Sequence, residues 1–249
     1  MKIKLITIPN LLTLSNLMCG CLAVEAALVR SDLGAAFWLI VAAAVFDFFD
    51  GFAARHLRRT SPIGVELDSL ADDISFGLAP AAVLFTLWAD APSAFGWSGG
   101  ADVLGRYALF AVAAFSALRL ARFNVDTSQQ TEFMGLPVPA SALFCASLGM
   151  LAAAGKLVVC KEALLLTAAA LSWLLVSPIR MFTLKFHGFG WRGNELRYLF
   201  LAACAVAVAL LRLGAVPVVV VSYAVVSAVR WLAMRKRRVG GADAERRIF

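Results

Sequence analysis

Histidine and paired cysteine are scarce in this sequence, and their scarcity narrows the chemistry. There are 2 histidines, His56 and His187, both in basic stretches, so a histidine-built metal site is excluded. The 5 cysteines, Cys19, Cys21, Cys145, Cys160 and Cys204, sit almost entirely in apolar runs. None forms a CxxC pair, so they read as small core residues and not as a zinc site or a disulfide framework. Any metal must then be held by oxygen. Charge is scarce as well: Asp, Glu, Lys and Arg make up 16% of the 249 residues, against 61% hydrophobic. A soluble domain of this size has no use for that much apolar side chain, which places the chain in a bilayer.

The apolar residues come as runs of the length a helix needs to cross hydrocarbon at about 1.5 Å per residue. The expected spans are 11–29, 34–55, 65–89, 103–123, 138–155, 161–178, 197–212 and 215–234, which makes an all-α, polytopic membrane bundle of about eight transmembrane helices. The basic start Met1-Lys2-Ile3-Lys4 suggests a signal peptide, but apolar character continues to Val29, longer than a secretory core. Of the 23 basic residues, 18 fall in one alternate set of loops and 5 in the other. By the positive-inside rule both termini face the cytoplasm across a cell (inner) membrane. The net charge of +7 is spread over juxtamembrane loops and a basic tail, 235–249, expected to lack regular structure. Such a distribution fits anionic lipid headgroups and gives no nucleic-acid face.

The chain's least probable residues are concentrated between Asp47 and Asp72. Burying a carboxylate in a span costs about 2.5–3.5 kcal/mol on insertion scales, so four of them need a compensating role. Asp47, Asp50, Gly51 and Ala54 step by i, i+3, i+4 and i+7 and share one helix face. Gly64, Asp68 and Asp72 do the same on the next helix. Thr60 or Ser61 as N-cap and Pro62 in the first turn mark the restart between them. Two antiparallel helices can therefore aim four carboxylates at one volume. Like charges that close repel, and a divalent cation, one or two, resolves the conflict. All-oxygen ligation suits magnesium or manganese, which also bind phosphate. Gly51, Ala54 and Gly64 leave room for a ligand, and Arg55 can neutralise phosphate. A structural ion-pair set, or a proton or cation path, fits the same spacing.

The string D-x2-D-G-x2-A-R-x8-G-x3-D-x3-D, matched at every fixed position from Asp47 to Asp72, resembles the signature of the CDP-alcohol phosphotransferase family. The resemblance implies that six helices over 1–178 form the catalytic core, with two further helices over 179–234. It implies that Asp47, Asp50, Asp68 and Asp72 hold two Mg2+ or Mn2+ ions and that Asp72 is also the general base. It carries the family's nucleotide contacts onto Asn10, Thr13, Gly51, Arg55, Ser61 and Gly64, with CDP-diacylglycerol as donor. Homodimers are the family's usual state. Asp73, where an apolar residue is more ordinary, departs from the pattern; on a helix it points about 100° from Asp72, toward a supporting or solvent-facing role.

Flanking residues resemble the family branch whose acceptor is L-serine. They are Ile8-Pro9-Asn10-Leu-Leu-Thr13-Leu-Ser-Asn16 through Gly20, Leu67 to Asp72 with Ser75-Phe76-Gly77, Arg119 to Asn124, and Gly135-Leu-Pro137-Val-Pro139. The last third matches in hydropathy and in Ser177-Pro178-Ile179-Arg180. Arg119, Arg122 and Asn124 are candidates to grip the serine carboxylate, with positive-inside anchoring the rival reading of both arginines. Arg180 could meet a lipid phosphate or anchor a helix. Glycerol 3-phosphate or inositol as acceptor, and divalent-cation transport, are the alternative functions.

Overall fold

The computed structural model describes residues 6–57, 61–126, 133–182, 190–191 and 194–246, with side chains up to 234 other than that of Phe133. Lys2, Lys4, Arg58, Arg59, Thr60, Lys185, His187, Arg192 and Arg247 lie outside the described residues. So do the side chains of the basic tail.

The first helix, α1 (Ile8–Leu28), begins three residues before the expected span because the Thr7 hydroxyl caps it, accepting from Asn10 N at 3.3 Å, with proline in the first turn. Helix α2 (Leu33–His56) is capped by Asp32, whose carboxylate accepts from Ala35 N at 2.8 Å. These two helices form the tightest pair of the bundle. Ala23, Ala26 and Ala27 of α1 and Ala36 and Ala43 of α2 are fully buried, and such small side chains let two backbones approach closely. Ser61 caps α3 (Pro62–Asp72), accepting from Gly64 N at 3.1 Å, with Pro62 in the first turn as expected.

The span expected as one regular helix over 65–89 is instead interrupted. A π-turn (Asp73–Leu78) follows α3 directly, and α4 (Ala79–Asp90) continues the run. Proline explains the interruption. Pro80 has no N–H for the carbonyl four residues back, and its ring would crowd that carbonyl; the wider turn, in which Ala79 N donates to Ile74 O, relieves both. The expected span 103–123 likewise divides into α5 (Gly99–Ala108) and α6 (Ala111–Val125).

Beyond α6, α7 (Val138–Ala153) packs against the π-turn and α8 (Lys161–Val176) against α6. Two short strands, β1 (Phe133–Met134) and β2 (Arg180–Met181), pair antiparallel beside them. Helix α9 (Glu195–Leu211) is separated from α10 (Ala215–Arg246) by a tight turn at Arg212–Gly214, and the two pack together. The tail is not without structure: α10 continues to Arg246. Extending an existing helix adds one hydrogen bond per residue fixed, and Arg, Lys, Ala and Glu are good helix formers.

Five continuous helical stretches are long and apolar enough to cross a membrane: Ile8–Leu28, Leu33–His56, Pro62–Asp90, Gly99–Val125 and Glu195–Met234. The last contains two expected spans, and Val138–Ala153 is a shorter apolar helix. The chain is a polytopic all-α membrane protein whose eight expected spans all fall on helix. Leucines, valines and phenylalanines exposed on its outer face are what a lipid solvent requires.

Candidate active site

One face of α1 carries the site's first polar row. Asn10, Thr13 and Asn16, spaced by three, are all buried, and Gly20 continues the row. Each of two members reaches a carboxylate on another helix. Thr13 Oγ1 donates to Asp50 Oδ2 at 2.7 Å, and Asn16 Nδ2 donates to Asp72 Oδ1 at 3.0 Å. Helix α1 therefore ties α2 and α3 together through the acids themselves.

Asp47, Asp50 and Asp68 bring carboxylate oxygens within 4.8 Å of one another. Asp50 is buried and the other two are half-buried, and Asp68 Oδ1 is buried with no hydrogen-bond partner. Three hard oxygen donors converging at this distance, one of them unsatisfied, fit a divalent cation of the magnesium or manganese type. Asp72 stands outside this triad. It is one helical turn beyond Asp68, and one of its oxygens is occupied by Asn16.

Two cavities adjoin the acids. The first is lined by Asn10, Thr13, Asp50, Gly51, Ser61, Gly64 and Asp68, among others. Five of the six expected nucleotide contacts are in that lining. The sixth, Arg55, folds back beside Gly51, where an added Cβ would be 3.4 Å from Arg55 Nη1. Gly64 is equally confined, since a Cβ there would be 3.2 Å from Ser61 Oγ and 3.4 Å from Asn10 Oδ1.

The second cavity, of about 410 Å³, is lined by Asp68, Asp72, Arg119, Phe123, Asn124 and the Pro137 to Pro139 segment, among others. Arg119 is only 8% exposed, and its Nε is buried without a hydrogen bond. Asn124 Nδ2 donates to Ser69 Oγ at 2.8 Å, tying the end of α6 to α3. Arg122 goes elsewhere: its guanidinium reaches Val176 O at 3.4 Å and Met134 Sδ at 3.6 Å. Both arginines were candidates for one carboxylate, but Arg119 turns inward to the cavity and Arg122 toward the end of α8. The two cavities have Val65 and Asp68 in common, so Asp68 stands at their junction.

Sequence reasoning had no role for Asn16, Ser75 or the π-turn. Ser75 is fully buried and donates to Asn16 O at 3.0 Å, so it steadies the residue that holds Asp72. Gly20 makes this possible, because any Cβ there would collide with Ser75. The signal was present in the three-residue continuation of the α1 row from Asn10 and Thr13 to Asn16. Asp73 does not join the triad; its Oδ1 lies against Gly77.

The family model described as CDP-alcohol phosphatidyltransferase matches residues 6–176. Three curated relatives are each named CDP-diacylglycerol--serine O-phosphatidyltransferase. That of Helicobacter pylori (strain ATCC 700392 / 26695) is 38% identical over 137 residues, covering 54% of this chain and 54% of its own. The Bacillus subtilis (strain 168) protein is 34% identical over 137 residues, 53% of this chain and 69% of its own. That of Methanocaldococcus jannaschii is 36% identical over 143 residues, 56% of this chain and 59% of its own. The chain thus spans little more than half the length of most of the relatives it matches. With the matched region covering helices α1 to α8 and every acid of the site, the chain belongs to the CDP-alcohol phosphatidyltransferase family.

Proposed function

We propose that this protein is a phosphatidylserine synthase, transferring the phosphatidyl group of CDP-diacylglycerol to the hydroxyl of L-serine with release of CMP. The observation that carries the reading is the junction of two cavities at Asp68, with an acid triad on one side and Asp72 and Arg119 on the other. A transfer between two substrates needs two adjoining subsites with the reacting groups between them. The names of the curated relatives support serine as acceptor.

In this reading Asn10, Thr13, Gly51, Ser61 and Gly64 receive the nucleotide end of the donor, and Arg55 balances phosphate charge. Asp47, Asp50, Asp68 and Asp72 would hold two Mg2+ or Mn2+ ions, which would supply positive charge to offset that of the donor's phosphates. Arg119 and Asn124 hold the serine carboxylate, and Arg122 serves as an anchor at the end of α8. Asp72 accepts the serine hydroxyl proton. The serine oxygen then forms a bond to the β-phosphorus of the lipid arm, the bond from that phosphorus to the bridging oxygen breaks, and CMP leaves with the electron pair.

Residues 1–178 form the catalytic core, 179–234 two added helices and 235–249 a basic tail. The site and both termini face the cytoplasm of a cell membrane, and two chains associate as a homodimer. The test is CMP release by purified protein in liposomes containing CDP-diacylglycerol, with serine, glycerol 3-phosphate and inositol offered separately. Serine alone should support release; release with either other alcohol and not with serine would reassign the acceptor. Movement of manganese into liposomes that lack CDP-lipid would favour transport.

A further inference from the structure

Helix α10 lies wholly beyond the residues that the family model matches, yet one of its side chains reaches the strip that supports the second cavity. The wall formed by Pro137, Val138 and Pro139 follows an irregular stretch whose position is set by residues 174–182. Phe133 pairs with Met181 and Met134 with Arg180. Gly135 N donates to Ile179 O and Leu136 N to Leu174 O, each at 2.9 Å. Gly135 has φ +76°, and the Leu175 carbonyl presses against it where a side chain would be, so this joint admits no other residue without strain.

The supporting strip is itself held from α10. Tyr223 Oη donates to Phe182 O at 2.9 Å, and the two rings lie 4.9 Å apart. Phe200 of α9 closes the cluster at 5.4 Å from Phe182 and 6.0 Å from Tyr223. Tyr223, Ala224, Ala228 and Trp231 pack on a core that includes Leu136, Ile179 and Met181. Arg119 lines the same cavity as the Pro137 to Pro139 wall.

We infer that Tyr223 is a positioning residue for the acceptor alcohol, through which α10 fixes the spacing between the Pro137 to Pro139 wall and Arg119. The inference rests on the reading of this cavity as the acceptor subsite. Its hydroxyl bond to Phe182 sets the register of β2, β2 sets β1, and β1 sets the wall. None of these residues lines the donor cavity, which is built from α1, α2 and α3.

Tyr223→Phe keeps the ring and removes the hydroxyl bond. In the full-length protein in CDP-diacylglycerol liposomes, it should raise KM for serine by about fivefold, the equivalent of one neutral hydrogen bond. The kcat and the KM for CDP-diacylglycerol should stay within about twofold of wild type, because nothing in the donor site moves. Phe200→Leu trims the ring cluster without touching the hydrogen bond, and its serine KM should remain near that of wild type. An unchanged serine KM in Tyr223→Phe overturns the inference. So does a parallel loss in both KM values, kcat and melting temperature, which would mean general loosening, or an equal serine KM rise in Phe200→Leu. A wild-type protein that releases CMP with a different alcohol defeats the serine reading alone, and the KM comparison is then made with that alcohol.

Discussion

Beside the last turn of α4, Asp102 of α5 is held by Lys161 Nζ at 2.6 Å and Trp88 Nε1 at 3.0 Å, and one oxygen of Glu162 gathers Ser93 Oγ, Ala94 N and Phe95 N. Where α3, at the other end of the same helical run, meets α2, carboxylate oxygens of Asp47, Asp50 and Asp68 crowd within 4.8 Å of one another, and one Asp68 oxygen has no partner. Both groups are acids in an apolar protein, so burial alone does not distinguish them. What distinguishes them is what they face. The first group is matched by a cation and by donors that join α4, α5 and α8 and the loop between α4 and α5, which is what acids used for structure require, and only its second Glu162 oxygen is buried without a partner. The second is matched mainly by α1 hydroxyl and amide groups, leaving negative charge to be balanced by something that binds.

That contrast is broken most severely at Asp72. Asp72→Asn preserves shape and the Asn16 contact but removes the proposed base, and should lower kcat by about 10²–10⁴-fold. Binding of CDP-diacylglycerol, measured separately on the same protein, should be largely retained. Near-normal CMP release would remove Asp72 from the role of base. The next effect in size belongs to Asn16. Asn16→Ala leaves Asp72 Oδ1 without its donor, and a hydrogen bond to a charged group corresponds to about 10–100-fold, expected in kcat. The KM for CDP-diacylglycerol should move little, since Asn16 does not line the donor cavity. A loss confined to that KM would mean that Asn16 acts on the nucleotide and not on Asp72.

The triad was legible in the sequence because helical spacing is rigid. Asp47 and Asp50 three apart, and Asp68 and Asp72 four apart, can hardly avoid facing the same way on their helices. The turn between the helices was also legible, since Ser61 and Pro62 have local reasons to begin one. Less legible was everything that depends on packing between distant segments. The partition of four acids into a triad and a separate Asp72 depends on how α1 lies across α2 and α3, and on Asn16 reaching a residue 56 positions away. The π-turn arises from Pro80, whose effect on the preceding turn depends on what neighbours can satisfy. Arg119 and Arg122 show the limit most directly. Both were candidates for the same carboxylate, yet one is buried in the cavity and the other caps α8.

This pair supplies the third prediction. Arg119→Ala should raise KM for serine by about tenfold with little change for the lipid, as expected when a charged group loses its partner. Arg122→Ala should change neither KM by more than about twofold. Equal effects of the two substitutions would favour a shared anchoring role over an acceptor clamp.

The smallest expected effect tests the structural side of the contrast. Lys161→Met keeps an apolar stem over Trp88 but strips Asp102 of its cation, leaving Trp88 Nε1 as its remaining described donor. Both partners are partly solvent-exposed, at 13% and 29%, so water can replace much of what is lost. The variant should melt at a somewhat lower temperature in detergent while kcat and both KM values stay within about twofold of wild type. If activity fell and melting did not, the paired acids would be coupled to catalysis across the length of α3 and α4, and the division between structural and functional carboxylates would fail. The reason to expect otherwise is geometric. Trp88 is four turns or more from Asp72, at about 3.6 residues per turn, and the intervening helix passes through a packed core with no described polar chain linking the two ends.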